Sequence, residues 1–224
     1  RRDAMVENMA NLSFVMEVLK KSYEENRAPS VTLIANTLKK PFNILVSTLI
    51  SLRTKDQVTL KASKKLFEKV SSFEDIQKIS EEEISKIIFP AGFYKTKAKR
   101  LKEIAEIIDS KFGGVIPQTM EELLTLPGIG RKTANLVLIL GFNQYGICVD
   151  THVHRVSNRF GWVATKTPEK TEFALLEYLP KEYWRIINDY LVSYGQTVCK
   201  PVSPLCSKCG LNKACPKIGV KTSR

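Results

Sequence analysis

The chain has 224 residues, 43 % apolar and 26 % charged, an ordinary balance for one or two folded domains with real cores. No apolar run approaches the roughly 20 residues of a membrane span, and the acid-bearing N-terminus suits neither a signal nor a transit peptide; an intracellular location is expected. The net charge of +12 stands out, and it calls for a polyanionic partner, nucleic acid before an anionic membrane, or else for a lysine-rich solvated surface.

Helical periodicity runs through almost the whole chain, and no stretch alternates over strand length. Residues 3–26 place Met5, Met9, Leu12, Val15 and Leu19 on one face. Pro41 suits the first turn of a helix through "FNILVSTLISL", dense enough in apolar residues to be a central core helix. Residues 55–70 form the next, with Val58, Ala62, Leu66 and Val70 in register. Ser80 with Glu83 is a capping box that opens "EEEISKII", and "FPAG" at 89–92 closes it. A longer helix covers 95–112 with Leu101, Ile104, Ala105 and Ile108 inward. Thr119 with Glu122 is a second capping box, opening a helix that ends at "LPGIG", 126–130. A further helix runs to Leu140, followed by helices near 151–160, 168–178 and 181–196. An all-α fold follows.

The corner at 126–130 restarts at once into a helix whose first turn carries Arg131 and Lys132. Cations are disfavoured at a helix N-terminus, which already holds partial positive charge. An anion bound there removes the conflict: Gly128 and Gly130 supply unusual backbone angles and clear the approach, and a phosphate would accept from the helix's first N–H groups. A plain corner with a glycine C-cap is the alternative, and it accounts for one glycine but not for two plus the cations. The dipole and Arg131 together disfavour the ammonium form of Lys132, which makes it a candidate nucleophile; an ordinary phosphate-contacting lysine is the other reading.

Asp150 precedes "THVHRV" and is placed to cap that helix, held ionised by its N–H groups. His152 and His154 form an H-x-H with nothing nearby to complete a ligand set, which favours a local or DNA-contact role over a metal. Cys148 sits in "YGICVD" as a small apolar residue. Cys199, Cys206, Cys209 and Cys215 crowd into seventeen residues as C-x6-C-x2-C-x5-C and read as a metal site that folds with its metal. Zinc remains open at this point, although its ribbons usually present two C-x2-C knuckles.

Taken together, "LPGIGRKTAN", "VDTHVHRVSNR" and the cysteine spacing resemble the endonuclease III family of helix-hairpin-helix DNA glycosylases and abasic-site lyases, over nearly the whole chain. The resemblance implies a six-helix domain, 34–144, bearing the hairpin, and a second helical domain of 1–33 and 145–224 holding a [4Fe–4S] cluster on the four cysteines, the two flanking a DNA-binding groove. It implies Lys132 and Asp150 as catalytic residues, and DNA contacts from Leu126, Gly128, Gly130, Arg131 and His152. In "SLRTKDQ" and "AGFYKTKAKR", Arg53 and Phe93 take the places of the family's gap-filling and wedge residues, where glutamine and leucine are usual. A monomer acting on duplex DNA with damaged pyrimidines or abasic sites is the implied function. Mismatch uracil or thymine, oxidised guanine, and a non-catalytic DNA-binding module are the alternatives.

Overall fold

A computed structural model describes residues 11–26 and 40–224. Among the described residues there are eleven α-helices and no strand. In order they are α1 Leu12–Glu25, α2 Pro41–Ser51, α3 Asp56–Phe67, α4 Phe73–Lys78, α5 Glu81–Ile88, α6 Tyr94–Phe112, α7 Met120–Leu123, α8 Arg131–Leu136, α9 Thr151–Arg159, α10 Pro168–Tyr178 and α11 Ile187–Thr197. Met5 and Met9 lie outside the described residues. The chain divides into two compact units, Pro29–Gln144 and Arg1–Ala28 with Tyr145–Arg224, as far as each is described.

In the first unit, α2 is the central helix. Pro41 occupies its first turn, and every residue from Phe42 to Ile50 is buried, as expected of a helix apolar on all sides. It packs on α3, α6, α8 and the turn that follows α8. On α6, Ala98, Leu101, Ile104, Ala105 and Ile108 face inward, and the stripe extends one turn further back to a lysine, Lys97. Gly113 ends α6 at φ 60°, and the Gly113 and Gly114 amides both donate to the Ile108 carbonyl, the latter at 2.9 Å.

Three details of this unit's helices differ from the sequence reading. The helix α4 was not expected: six residues are too few for a period, although Ser72 caps it by accepting from the Asp75 amide at 3.2 Å. Both capping boxes are realised on one side only. Ser80 and Thr119 accept from the Glu83 and Glu122 amides at 3.1 and 3.2 Å, but the Glu83 carboxylate turns to Lys69 at 3.0 Å, and that of Glu122 accepts from the Thr119 hydroxyl at 2.9 Å. The helix expected to run to Leu140 is α-helical only to Leu136 and widens into a π-turn, Val137–Gly141. Gly141 lets that turn lie against Pro41, since a Cβ there would come within 3.0 Å of the proline Cα.

In the second unit, α1 packs on α11 and α9 packs on α10 and α11. Val15, Leu19, Val153, Val156, Leu175, Leu191 and Tyr194 form the core, with Phe160 edge-on to Trp162 at 5.2 Å. Cys148 is buried, as its apolar surroundings suggested. The helix expected over 181–196 begins only at Ile187; Lys181–Tyr183 forms a single 3₁₀ turn. No described helix is long and apolar enough to cross a membrane.

Candidate functional site

The hairpin sits at the end of the first unit, between α7 and α8. Leu126 and Ile129 are buried and anchor it, so what Leu126 can offer outward is backbone; Gly128, Gly130 and Lys132 are exposed and Arg131 is half-buried. Gly128 has φ 77°, and a Cβ there would meet the Arg100 side chain at 2.9 Å. Gly130 corrects the expectation that both glycines supply unusual angles. Its φ is −100° with ψ 175°, extended backbone open to any residue, and a Cβ would meet nothing within 4 Å. The smallness of Gly130 therefore serves nothing inside the chain; it keeps bare the N-cap position of a helix that no side chain caps.

Arg53 and Phe93, 40 positions apart, are brought together. Both are exposed, both are left-handed at φ 52° and 55°, and the Arg53 guanidinium stands 5.6 Å from the Phe93 ring centroid. That conformation costs an ordinary residue roughly 1–2 kcal/mol, so surrounding contacts must hold it. Those contacts come from residues that the sequence reading passed over. Lys97, 3 % exposed, donates from Nζ to the carbonyls of Ile50 and Leu52 at 2.6 Å each and to Thr54 Oγ1 at 2.9 Å. The Gly92 amide donates to the same hydroxyl at 3.0 Å.

Asp150 lies in the second unit and caps α9, its Oδ1 accepting from the Val153 amide at 2.8 Å. Two positions along, His152 Nδ1 accepts from Arg155 Nη2 at 3.1 Å. His154 faces elsewhere, with Nδ1 2.6 Å from Thr171 Oγ1, and burial lowers its pKa.

All four clustered cysteines line one small cavity, walled otherwise by Phe160, Val198, Leu205 and Val220 among others. Their loop is gripped by two arginines of α9 that the sequence reading did not single out. Arg155 Nη2 donates to the carbonyls of Gly195 and Cys199 at 2.8 and 3.1 Å; Arg159 donates to those of Lys200 and Pro201 at 2.7 and 2.8 Å, and to Cys199 Sγ at 3.4 Å. Tyr194 Oη lies 3.0 Å from Cys209 Sγ, and the Lys217 amide donates to Cys215 Sγ at 3.4 Å. Burial pushes the Cys209 thiol up and the Cys215 thiol to about 11. Among the described residues, no three His, Cys, Asp or Glu side chains close on a single-ion site. Lys208 and Lys213, between the cysteines in sequence, are exposed, while Lys200 is half-buried.

A family profile described as HhH-GPD superfamily base excision DNA repair protein matches residues 46–181, a span that includes both the hairpin and Asp150. The chain is 50 % identical to endonuclease III of Thermotoga maritima over 175 residues, 78 % of this chain and 82 % of that protein. It is 43 % identical over 194 residues to the chloroplastic endonuclease III homolog 1 of Arabidopsis thaliana, covering 83 % of this chain but only 51 % of that longer protein. Among solved structures, a non-covalent endonuclease III–DNA complex superposes with a TM-score of 0.79 at 31 % identity, over 92 % of this chain and 95 % of that one. A thermostable thymine-DNA glycosylase also gives 0.79, at 28 % identity, over 94 % and 97 %. The chain belongs to the HhH-GPD superfamily and, within it, to the endonuclease III family.

The two glycines separate by stability measurement. Gly128→Ala forces an alanine into left-handed backbone and against Arg100, and should lower the unfolding free energy by about 1 kcal/mol or more. Gly130→Ala should cost less, about 0.5 kcal/mol for a poorer N-cap, while weakening duplex binding. A Gly130→Ala variant destabilised as much as Gly128→Ala, or one that binds duplex normally, would contradict the bare-backbone reading.

Proposed function

We propose that this chain is a bifunctional DNA glycosylase and abasic-site lyase acting on oxidised or ring-damaged pyrimidines in duplex DNA. The observation that carries the reading is Lys132, an exposed amine in the first turn of α8, directly after the hairpin, in a chain of the endonuclease III family. Its neutral amine adds to the sugar C1′ as the bond from C1′ to the base breaks and the base leaves. The resulting aminal opens to an imine as the C1′–O4′ bond breaks and O4′ takes up a proton; the imine makes the C2′ proton acidic, and its loss expels the 3′ phosphate and cuts the strand. Asp150 is assigned the role of the carboxylate that acts as general base and stabilises positive charge developing on the sugar.

The hairpin backbone at Gly128 and Gly130, with Arg131, holds a phosphate, and Leu126 fixes the turn that presents it. Arg53 and Phe93 fill the space of the extruded nucleotide, Arg53 offering donors to the orphaned base and Phe93 a stacking face. His152, steadied by Arg155, is assigned a DNA contact. The basic balance of the chain suits a partner whose phosphates provide most of the affinity.

The cysteine cavity supports a [4Fe–4S] cluster on Cys199, Cys206, Cys209 and Cys215. Four soft thiol donors line one apolar space, and burial raises the Cys209 and Cys215 thiols. Bound there, the group would supply cross-links across the loop; neither base release nor β-elimination changes an oxidation state, so the proposed reaction draws no electrons from it. A second reading, excision of mismatched thymine or uracil, draws on the fit to the thymine-DNA glycosylase. A panel of duplexes carrying single lesions decides between the two.

Lys132→Gln should bind duplex like the wild type and leave a plain abasic site uncut. Asp150→Asn should stay folded, since an amide oxygen can still accept from the Val153 amide at a cost of about 1 kcal/mol or less, yet lose orders of magnitude in excision rate. Strand cutting that survives in Lys132→Gln would overturn the assignment.

Metal analysis of the purified protein should find iron and sulfide, about four irons per chain. One zinc and no iron would remove the cluster and spare the glycosylase. Cys206→Ala should lose soluble protein before it loses anything else, because ligand binding and loop folding are coupled.

A further inference from the structure

The C-terminus of α2 could have been closed cheaply, as Gly113 closes α6. A lysine is used instead, and its burial is costly: desolvation, with the Arg100 guanidinium second, brings its pKa down to about 8. That expense links two loops. The Thr54 hydroxyl accepts from Lys97 Nζ and from the Gly92 amide while donating to the Leu52 carbonyl at 3.3 Å, so all of its capacity is used. Leu52 and Thr54 flank Arg53, and Gly92 precedes Phe93. A Cβ at Gly92 would collide with the Arg53 carbonyl oxygen, so the two backbones touch where the knot ties them. The two left-handed residues, Arg53 and Phe93, are the ones that emerge from this knot into solvent.

We infer that Lys97 and Thr54 are positioning residues for nucleotide extrusion, joining the Arg53 and Phe93 loops into one preformed wedge. The inference rests on the reading of Arg53 and Phe93 as gap-filling residues. Preforming matters because two separate loops would each have to be ordered during insertion, whereas a single unit meets the opening stack already in place. An ordinary helix cap predicts lost stability and nothing specific to duplex substrate.

The test compares Thr54→Val and Lys97→Met with the wild type in single-turnover excision of one lesion, paired in duplex and alone in a single strand, alongside hydrogen exchange at the Gly92 amide. Both variants should exchange Gly92 faster, lose roughly tenfold or more in rate on duplex, and keep the single-strand rate; Thr54→Ser should restore all three. Equal losses on both substrates, or a duplex rate unchanged despite faster Gly92 exchange, would overturn the inference. Arg53→Ala and Phe93→Ala separate the two layers. If they lose no duplex-specific rate, the gap-filling reading fails and takes the inference with it. If they lose it while the knot variants do not, only the positioning role falls.

Discussion

A helix that stops inside a protein leaves its last carbonyls without partners, and each buried carbonyl left unpaired costs free energy comparable to a lost hydrogen bond. Long cations from a neighbouring helix meet this demand three times here. Lys97 of α6 takes the carbonyls of Ile50 and Leu52 at the end of α2, and Lys102, also of α6, takes those of Ile76, Gln77 and Ile79 at the end of α4. In the other unit, Arg155 and Arg159 of α9 take those of Gly195, Cys199, Lys200 and Pro201 at and beyond the end of α11. Each charge is compensated by a helix's negative end as well as by hydrogen bonds, which is how such groups tolerate the interior.

The rest of the account depends on where those helices stop. Ending α2 at Ser51 puts Arg53 on a loop next to Phe93; ending α11 at Thr197 delivers Cys199 to the wall of the cysteine cavity. The candidate residues thus sit on short loops whose entry points are set by buried polar contacts, while apolar packing sets only the helices that carry them. The hairpin is the exception. It is held by Leu126 and Ile129 in the core, and its outward backbone is left bare.

Much of this was legible in the sequence, for physical reasons that differ by element. Apolar stripes or apolar density located α2, α3 and α6 because each is amphipathic or buried over several turns. The caps at Ser80, Thr119 and Asp150 were readable because a short side chain before a helix has one dominant use. Lys97 was passed over although it continues the stripe of Leu101, Ile104 and Ile108 by one turn; a lysine there reads as solvated unless carbonyls are known to converge on it. The left-handed backbones of Arg53 and Phe93 carry no local signal, since neither is Gly or Asn. Gly130 misled in the opposite sense: its backbone is ordinary, and nothing within the described chain crowds an added Cβ there.

Covalent trapping tests the central claim, that the amine after the hairpin performs the chemistry. The wild-type protein is incubated with a duplex holding one oxidised pyrimidine in the presence of borohydride, and the adduct is digested and mapped by mass spectrometry. The account predicts a stable protein–DNA adduct with the sugar remnant on Lys132. An adduct carried by another residue, or base release with no adduct at all, would contradict it.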